Sequence, residues 1–235
     1  MKTPRRNALR TLAQALAITA GLAVTSQAMA TDDDNNWATY EVTITNITPS
    51  QQFTPILAVS HKASVKLFQL GQPASPELAT LAEEGNVAPL AAALATLPGT
   101  GRVATGNGLT NPGASTTLTV MGRRGFNLLS VAAMLIPTND AFFAVNGVEF
   151  PRGWETLNLR APAYDSGSER NDELCVSIPG PLFAECNGSG GGGAPAGGEE
   201  GFVHIHSGIH GVGDLKPAKR DWRNPVAAIT VRRVR

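Results

Sequence analysis

Apolar and polar residues alternate with a period of two across residues 37–47, where Tyr40, Val42 and Ile44 interleave with Glu41, Thr43 and Thr45. That period sends one set to each face of a half-buried β-strand, and the β-branched side chains suit its pleated surface. Residues 53–60 read as a second strand and residues 65–70 as a third that ends at Gly71. Alternation returns over 115–121, with Leu118 and Val120 on one face. Residues 127–136 are almost uniformly apolar, the pattern of a central strand covered on both sides. Phe142-Phe143-Ala144-Val145 leads into Asn146-Gly147 and then Val148-Glu149-Phe150, which predicts a hairpin turned at Asn-Gly. Residues 156–160, 202–206 and 227–234 are the remaining expected strands.

One interval breaks the period. Ser75-Pro76-Glu77 supplies a helix N-cap, a proline at the first helical position and an acid in the first turn. Leu78 and Leu81 share a face, and Gly85 is a natural stop. A second short helix is expected over 87–97, ahead of Pro98-Gly99. At least eight short strands with one helical insertion predict an all-β fold, an antiparallel β-sandwich. Residues 188–201 are dominated by glycine and are expected to form a flexible surface loop.

The beginning of the chain changes the picture from fold to compartment. Lys2, Arg5, Arg6 and Arg10 precede an apolar stretch over 12–24, and Ala28-Met29-Ala30 stands just before Thr31-Asp32-Asp33-Asp34. This is the layout of a secretory signal peptide cleaved near Ala30. The apolar stretch is shorter than the roughly 20 residues that span a bilayer. The expectation is a signal peptide over 1–30 and a secreted or periplasmic domain over 31–235 with no transmembrane segment. The Arg5-Arg6 pair leaves the Sec and Tat routes both open.

The 19 basic and 19 acidic residues balance in the whole chain, but the signal segment holds four of the bases and none of the acids. The mature chain therefore carries four surplus carboxylates and no broad basic field for nucleic acid. Two cysteines, Cys175 and Cys186, are expected to pair as a disulfide in an exported protein.

Two groups of residues point to metal chemistry. Of four histidines, three fall in Val203-His204-Ile205-His206-Ser207-Gly208-Ile209-His210. His204 and His206 are two apart on an expected strand and so share a face, and His210 follows a Ser-Gly turn. Neutral imidazoles grouped in this way suit Zn2+ or Cu2+, with Asp214 and Asp221 as further ligands or hydrogen-bond acceptors. His61 joins as a fourth ligand if the first and last strands pair and bring it near. A polar strand face of hydrogen-bonded histidines is the alternative. The second group is acidic: Asn139-Asp140, Asp165-Ser166-Gly167-Ser168-Glu169 and Asp172-Glu173. Carboxylates on loops at one end of a sandwich offer oxygen ligands to Ca2+, and are otherwise solvated turns.

Motifs of nucleophilic or nucleotide chemistry are missing from the sequence. It has no Gly-x-Ser-x-Gly elbow and no Gly-x-x-x-x-Gly-Lys loop, and the glycine run lacks a strand-to-helix setting. Three histidines with an open position would activate a water, but nothing names a substrate, so the chain is not expected to be an enzyme.

Several stretches, taken in order, resemble the spondin N-terminal domain family. They are Phe53-Thr54-Pro55, Ala58-Val59-Ser60-His61, Leu67-Phe68, Leu81-Ala82-Glu83-Glu84-Gly85, Ser130 onward to Pro137-Thr138-Asn139-Asp140-Ala141-Phe142, Val145-Asn146-Gly147-Val148-Glu149 and Ala163-Tyr164-Asp165-Ser166-Gly167-Ser168. The resemblance covers roughly residues 40–175 and a final strand. It implies a C2-like sandwich binding Ca2+ at one end, with Asp140 and Asp165 as ligands and Glu149 as a further candidate. Ala141-Phe142 replaces the tryptophan that follows the aspartate in the animal pattern, and the histidine-rich tail and the lack of thrombospondin-type repeats also depart from it. The function these features imply is a Ca2+-binding module for an extracellular or envelope partner, protein or glycan. Cu2+ or Zn2+ binding at the histidines is the alternative.

Overall fold

In the computed structural model, which describes residues 37–180, 184–186 and 190–235, the alternating N-terminal segment forms β1 (Ala38–Asn46) with every second residue buried. The expected signal peptide lies outside the described residues, as do Gly188 and Ser189 of the glycine-rich run. Strand β1 lies between β5 (Ser115–Gly122) and the last strand, β11 (Ala227–Arg233), and β8 (Thr156–Ala161) closes this four-stranded antiparallel sheet. The first and last strands do pair, with Val42 opposite Val231 and Ile44 opposite Ile229.

The second sheet has the order β10-β9-β7-β6-β3-β4. Its strands are β3 (Leu57–His61), β4 (Thr100–Thr105), β6 (Leu128–Ile136), β7 (Ala141–Glu149), β9 (Ala163–Asp165) and β10 (His204–Ile205), and β2 (Gln52–Phe53) pairs with the end of β6. Val131, Ala133 and Leu135 on β6 and Phe143 and Val145 on β7 meet Val42, Ile44, Leu118, Val120, Ile229 and Val231 across the sandwich. Ala132, Phe142 and Ala144 face the other way, onto Leu78, Leu81, Leu90 and Leu94 of two helices. The uniform apolarity of β6 therefore has the expected cause: both faces are covered.

The helices are α1 (Pro76–Glu84) and α2 (Ala88–Thr96). Ser75 caps α1, its side chain accepting from the Leu78 amide, and Gly85 ends it with a left-handed φ of 67°. A Cβ at Gly85 would meet Thr54 Cγ2 at 2.5 Å, so glycine serves both the cap and the packing. Cys175 and Cys186 form the expected disulfide, 11 residues apart, packed against Met134 and Ile136. Among the described residues no helix is long and apolar enough to cross a membrane.

The structure corrects several sequence expectations. The second strand is two, because Thr54-Pro55 interrupts the ladder between β2 and β3. Residues 65–70 form no strand: Val65, Leu67 and Phe68 are buried beneath the helical layer, so their apolarity records burial without ladder pairing. Asn146-Gly147 makes no hairpin either. β7 runs straight through it, and Gly147 (φ 83°) is the extra residue where Leu129 pairs Val148 but Ser130 pairs Asn146. That is a β-bulge, which uses the same left-handed glycine as a turn. Asn146 spends its amide on a loop, accepting from Leu67 N at 3.0 Å and donating to Phe68 O at 2.9 Å. Strands β4 and β9 were not expected, since β4 shows no clear alternation and β9 has only three residues.

Candidate cation site at one pole of the sandwich

Asp140 ends the turn between β6 and β7, a turn tied by Thr138, whose hydroxyl donates to Leu135 O and accepts from Ala141 N. The register then does the assembling. Asp165, the last residue of β9, stands opposite Ala141 on one side and opposite His204 of β10 on the other. A segment distant in sequence, added at the sheet edge, thus brings an imidazole beside a carboxylate that is beside the Asp140 turn. Asn139 binds the next loop to this pole by donating to Asp172 Oδ1 and accepting from Glu173 N.

The carboxylates are buried and their oxygens are unequally used. Asp140 Oδ2 accepts from Ser166 Oγ at 2.8 Å, Ser168 N at 2.9 Å and Glu169 N at 3.2 Å, whereas its Oδ1 is buried with no hydrogen-bond partner. Glu169 Oε1 accepts from Ala194 N, and its Oε2 is likewise buried without a partner. Asp165 Oδ1 accepts from Gly167 N and Oδ2 from Asn171 Nδ2. Burial, reinforced by the Asp140 charge, pushes the Asp165 carboxyl up to about 7. Burial likewise raises Glu169 to about 7, helped by Glu83 and Asp140, and it raises Asp140. Glu83, Glu84 and Glu169 also line a 230 Å³ cavity floored by Gly191, Gly192 and Gly193.

The two histidines beside Asp165 differ in tautomer. His204 Nδ1 lies 3.0 Å from Ile205 O, which only accepts, so Nδ1 carries the proton and neutral His204 presents the bare Nε2 lone pair. That atom is buried without a hydrogen-bond partner, 3.6 Å from Asp165 Oδ1 and 4.0 Å from Glu200 Oε2. One ligand atom from each of Asp165, Glu200 and His204 lies within 4.8 Å of the others. His206 is the reverse. Its Nδ1 accepts from Gly208 N, so Nε2 carries the proton, 3.8 Å from Asp165 Oδ2. Burial holds the His206 pKa down to about 3, so the ring is neutral, packed 5.0 Å from Trp222.

The other expected ligands stand elsewhere. His210 is exposed, its ring against Ser207 Oγ, while Glu173 fixes its loop by accepting from the His210, Gly211 and Val212 amides. Asp214 accepts from Cys175 N, and Asp221 accepts from Ile209 N and pairs with Arg223. His61 is on β3 in the second sheet, so the pairing of the first and last strands does not carry it to the other histidines. Both its nitrogens are engaged, with Lys62 O and Ser130 Oγ each at 2.8 Å. Its register partner Leu128 pairs with Glu149, so both sit at the far end of the sheet. Glu149 is separated from Asp140 by the length of β7, about 30 Å at the rise of a strand. Glu83 and Glu200 reach the pole from a helix face and from the glycine-rich connection, and no local pattern in the sequence singles them out.

A two-sheet antiparallel sandwich with a helical layer on one face and buried carboxylates at one pole defines the class of protein. The Spondin_N family profile matches residues 35–171, more than half of the 235, and the chain belongs to the Spondin_N family. No curated protein matches it. Asp140, Asp165 and Glu169 fall within the family match, and the histidine strand falls outside it.

Proposed function

We propose that this protein is an exported binding module whose recognition loops are ordered by Ca2+ at the acidic pole, and that it acts on no substrate. The observation that carries the reading is the pair of buried carboxylate oxygens without partners, Asp140 Oδ1 and Glu169 Oε2, in a cluster where burial and mutual repulsion disfavour the charged forms. Buried charge needs a counter-charge, and a hard divalent ion accepts oxygen ligands of this kind. Asp140, Asp165 and Glu169 would hold the ion. It would tie the β6–β7 turn to residues 166–173 and so shape a surface for an extracellular or envelope protein or glycan. The disulfide and the secretory layout of residues 1–30 favour an oxidising compartment, outside the cell or in the periplasm.

Calorimetric titration of the exported chain with Ca2+, after chelation and dialysis, tests this reading. Binding near one ion per chain is expected, with about 2.7 kcal/mol of added stability at a hundredfold excess over Kd. No heat of binding and no thermal shift in Ca2+ would overturn it.

A second reading rests on His204. A bare imidazole lone pair facing two carboxylates is a ligand set for Zn2+ or Cu2+, with Asp165 and Glu200 as its oxygen donors. In this reading His206 does not ligate: its Nε2–H, buried without a hydrogen-bond partner, stands 3.8 Å from Asp165 Oδ2. Copper or zinc near one per chain in protein purified without chelator would favour it over Ca2+.

A further inference from the structure

The pole opposite the carboxylates has the reverse charge. There the ends of β1, β5, β7 and β11 surround a cavity of about 380 Å³, a size common for ligand sites. Arg123, Arg124, Arg152 and Arg233 line it, against the single carboxylate of Glu149. Arg124 and Arg152 are exposed, and neither forms an ion pair with a carboxylate among the described residues, while Arg233 donates from Nε to Arg235 O at 3.0 Å and keeps its Nη groups for a ligand. Tyr40 and Phe150, stacked with centroids 4.3 Å apart, belong to the same wall.

Aromatic rings support the cations around this pole. The Arg233 guanidinium lies 5.4 Å from the Trp154 ring centre, and Arg102 and Arg123 lie 5.0 and 4.8 Å from that of Trp37. A guanidinium stacked on a ring uses its flat face, which leaves the N–H groups along its edge to donate in pairs to an oxyanion. Stacking also reduces the freedom that binding would otherwise remove. Trp154 is 72% exposed, an uncommon setting for so large an apolar ring on a protein surface.

We propose that this cleft binds an acidic saccharide chain. Arg124, Arg152 and Arg233 grip its sulfate, phosphate or carboxylate groups, and Trp154 packs against the apolar face of a sugar ring. The site is independent of the cation pole, and its ligand is anionic although the mature chain has a surplus of carboxylates.

Titration of the full exported chain with dextran sulfate, polygalacturonate, inorganic polyphosphate and unmodified dextran tests the proposal. Dextran sulfate or polygalacturonate should bind and neutral dextran should not. Arg124→Ala/Arg152→Ala should weaken that binding at least tenfold with an unchanged melting temperature, because both side chains are exposed. The control Lys216→Ala/Lys219→Ala, which removes two cations elsewhere, should change it less than twofold. Trp154→Ala should weaken the charged saccharides and leave polyphosphate unaffected. The proposal is overturned if no charged saccharide binds or if the lysine control loses as much as the arginine pair. It is overturned equally if polyphosphate binds as tightly as the saccharides and Trp154→Ala changes none of them.

Discussion

His206 Nε2 lies 3.8 Å from Asp165 Oδ2, and because His206 Nδ1 accepts the Gly208 amide, the group facing that oxygen is an N–H. The other oxygen of the same carboxylate faces the bare Nε2 of His204 at 3.6 Å. One carboxylate therefore meets a donor on one side and a second acceptor on the other. The acceptor side is the one that calls for a cation.

Asp140→Asn keeps an oxygen for the three donors on Oδ2 and puts an amide where Oδ1 lacks a partner. The variant should melt higher than the wild type in chelator at pH 8, by on the order of 5 °C, and gain nothing from Ca2+. Glu169→Gln should behave alike, since Oε1 keeps the Ala194 amide. Differential scanning calorimetry with and without Ca2+ checks both. A Ca2+-dependent shift of wild-type size in Asp140→Asn would remove Asp140 from the site.

The metal-free protein should lose stability as pH rises from 5 to 8. Asp165 and Glu169 protonate at about 7 when folded but near 3.8 and 4.5 when free. A carboxyl raised by folding contributes stability that is complete below its free value and lost as pH climbs through 7. His206 acts oppositely: its contribution is complete above 6.5 and lost as pH falls toward about 3. Two carboxyls outweigh one imidazole across 5–8. Thermal melts in chelator should fall over that window, whereas saturating Ca2+ should flatten or reverse the slope, because the ion displaces protons. A melting temperature that rises with pH in chelator would contradict this.

The two histidines should separate in a metal titration. His204→Ala should weaken Zn2+ or Cu2+ binding by more than about a hundredfold, and His206→Ala, whose ring packs beside Asp165 without a hydrogen bond to it, by no more than about tenfold. Asp214→Ala should leave the affinity alone, since its carboxylate serves the Cys175 amide. Equal losses in His204→Ala and His206→Ala would show that both ligate. Competition against a chromogenic chelator measures all three.

Replacing both Cys175 and Cys186 by serine opens a short loop and should cost about 2–3 kcal/mol, or about 5–10 °C in melting temperature. The Ca2+ response should survive, because no cysteine lies among the clustered carboxylates. Loss of that response would tie the disulfide to the site.

Asn146→Ala should cost about 2 kcal/mol in chemical denaturation, because the side chain supplies two bonds to the Leu67–Phe68 backbone beneath the helices. Were Asn146 merely a turn residue, the cost would be a few tenths.

Much of this arrangement is legible along the chain because it is local. Alternation marked β1 and β5, uniform apolarity marked the doubly covered β6, and Ser75, Pro76 and Gly85 delimited α1. Signals that depend on partners misled. Residues 65–70 look like a strand because burial under helices and burial in a sheet demand the same apolar side chains. Asn146-Gly147 looks like a turn because a bulge and a hairpin call on the same left-handed glycine. At the cation pole, Asp140 and Asp165 stood out through family resemblance, yet their meeting depends on the pairing of β7 with β9.

By itself the sequence determined the all-β class, the helical insertion, the paired cysteines and the order of the acidic and histidine segments, because each is set by neighbours within a few residues. Only the tertiary structure decided which of those segments meet. Strand register placed His204 across from Asp165 and left His61 and Glu149 at the other end of the sheet. Backbone partners chose the histidine tautomers, and burial left Asp140 Oδ1 and Glu169 Oε2 without partners. Contact between residues far apart in sequence depends on how strands pair and layers close, and no local periodicity encodes that.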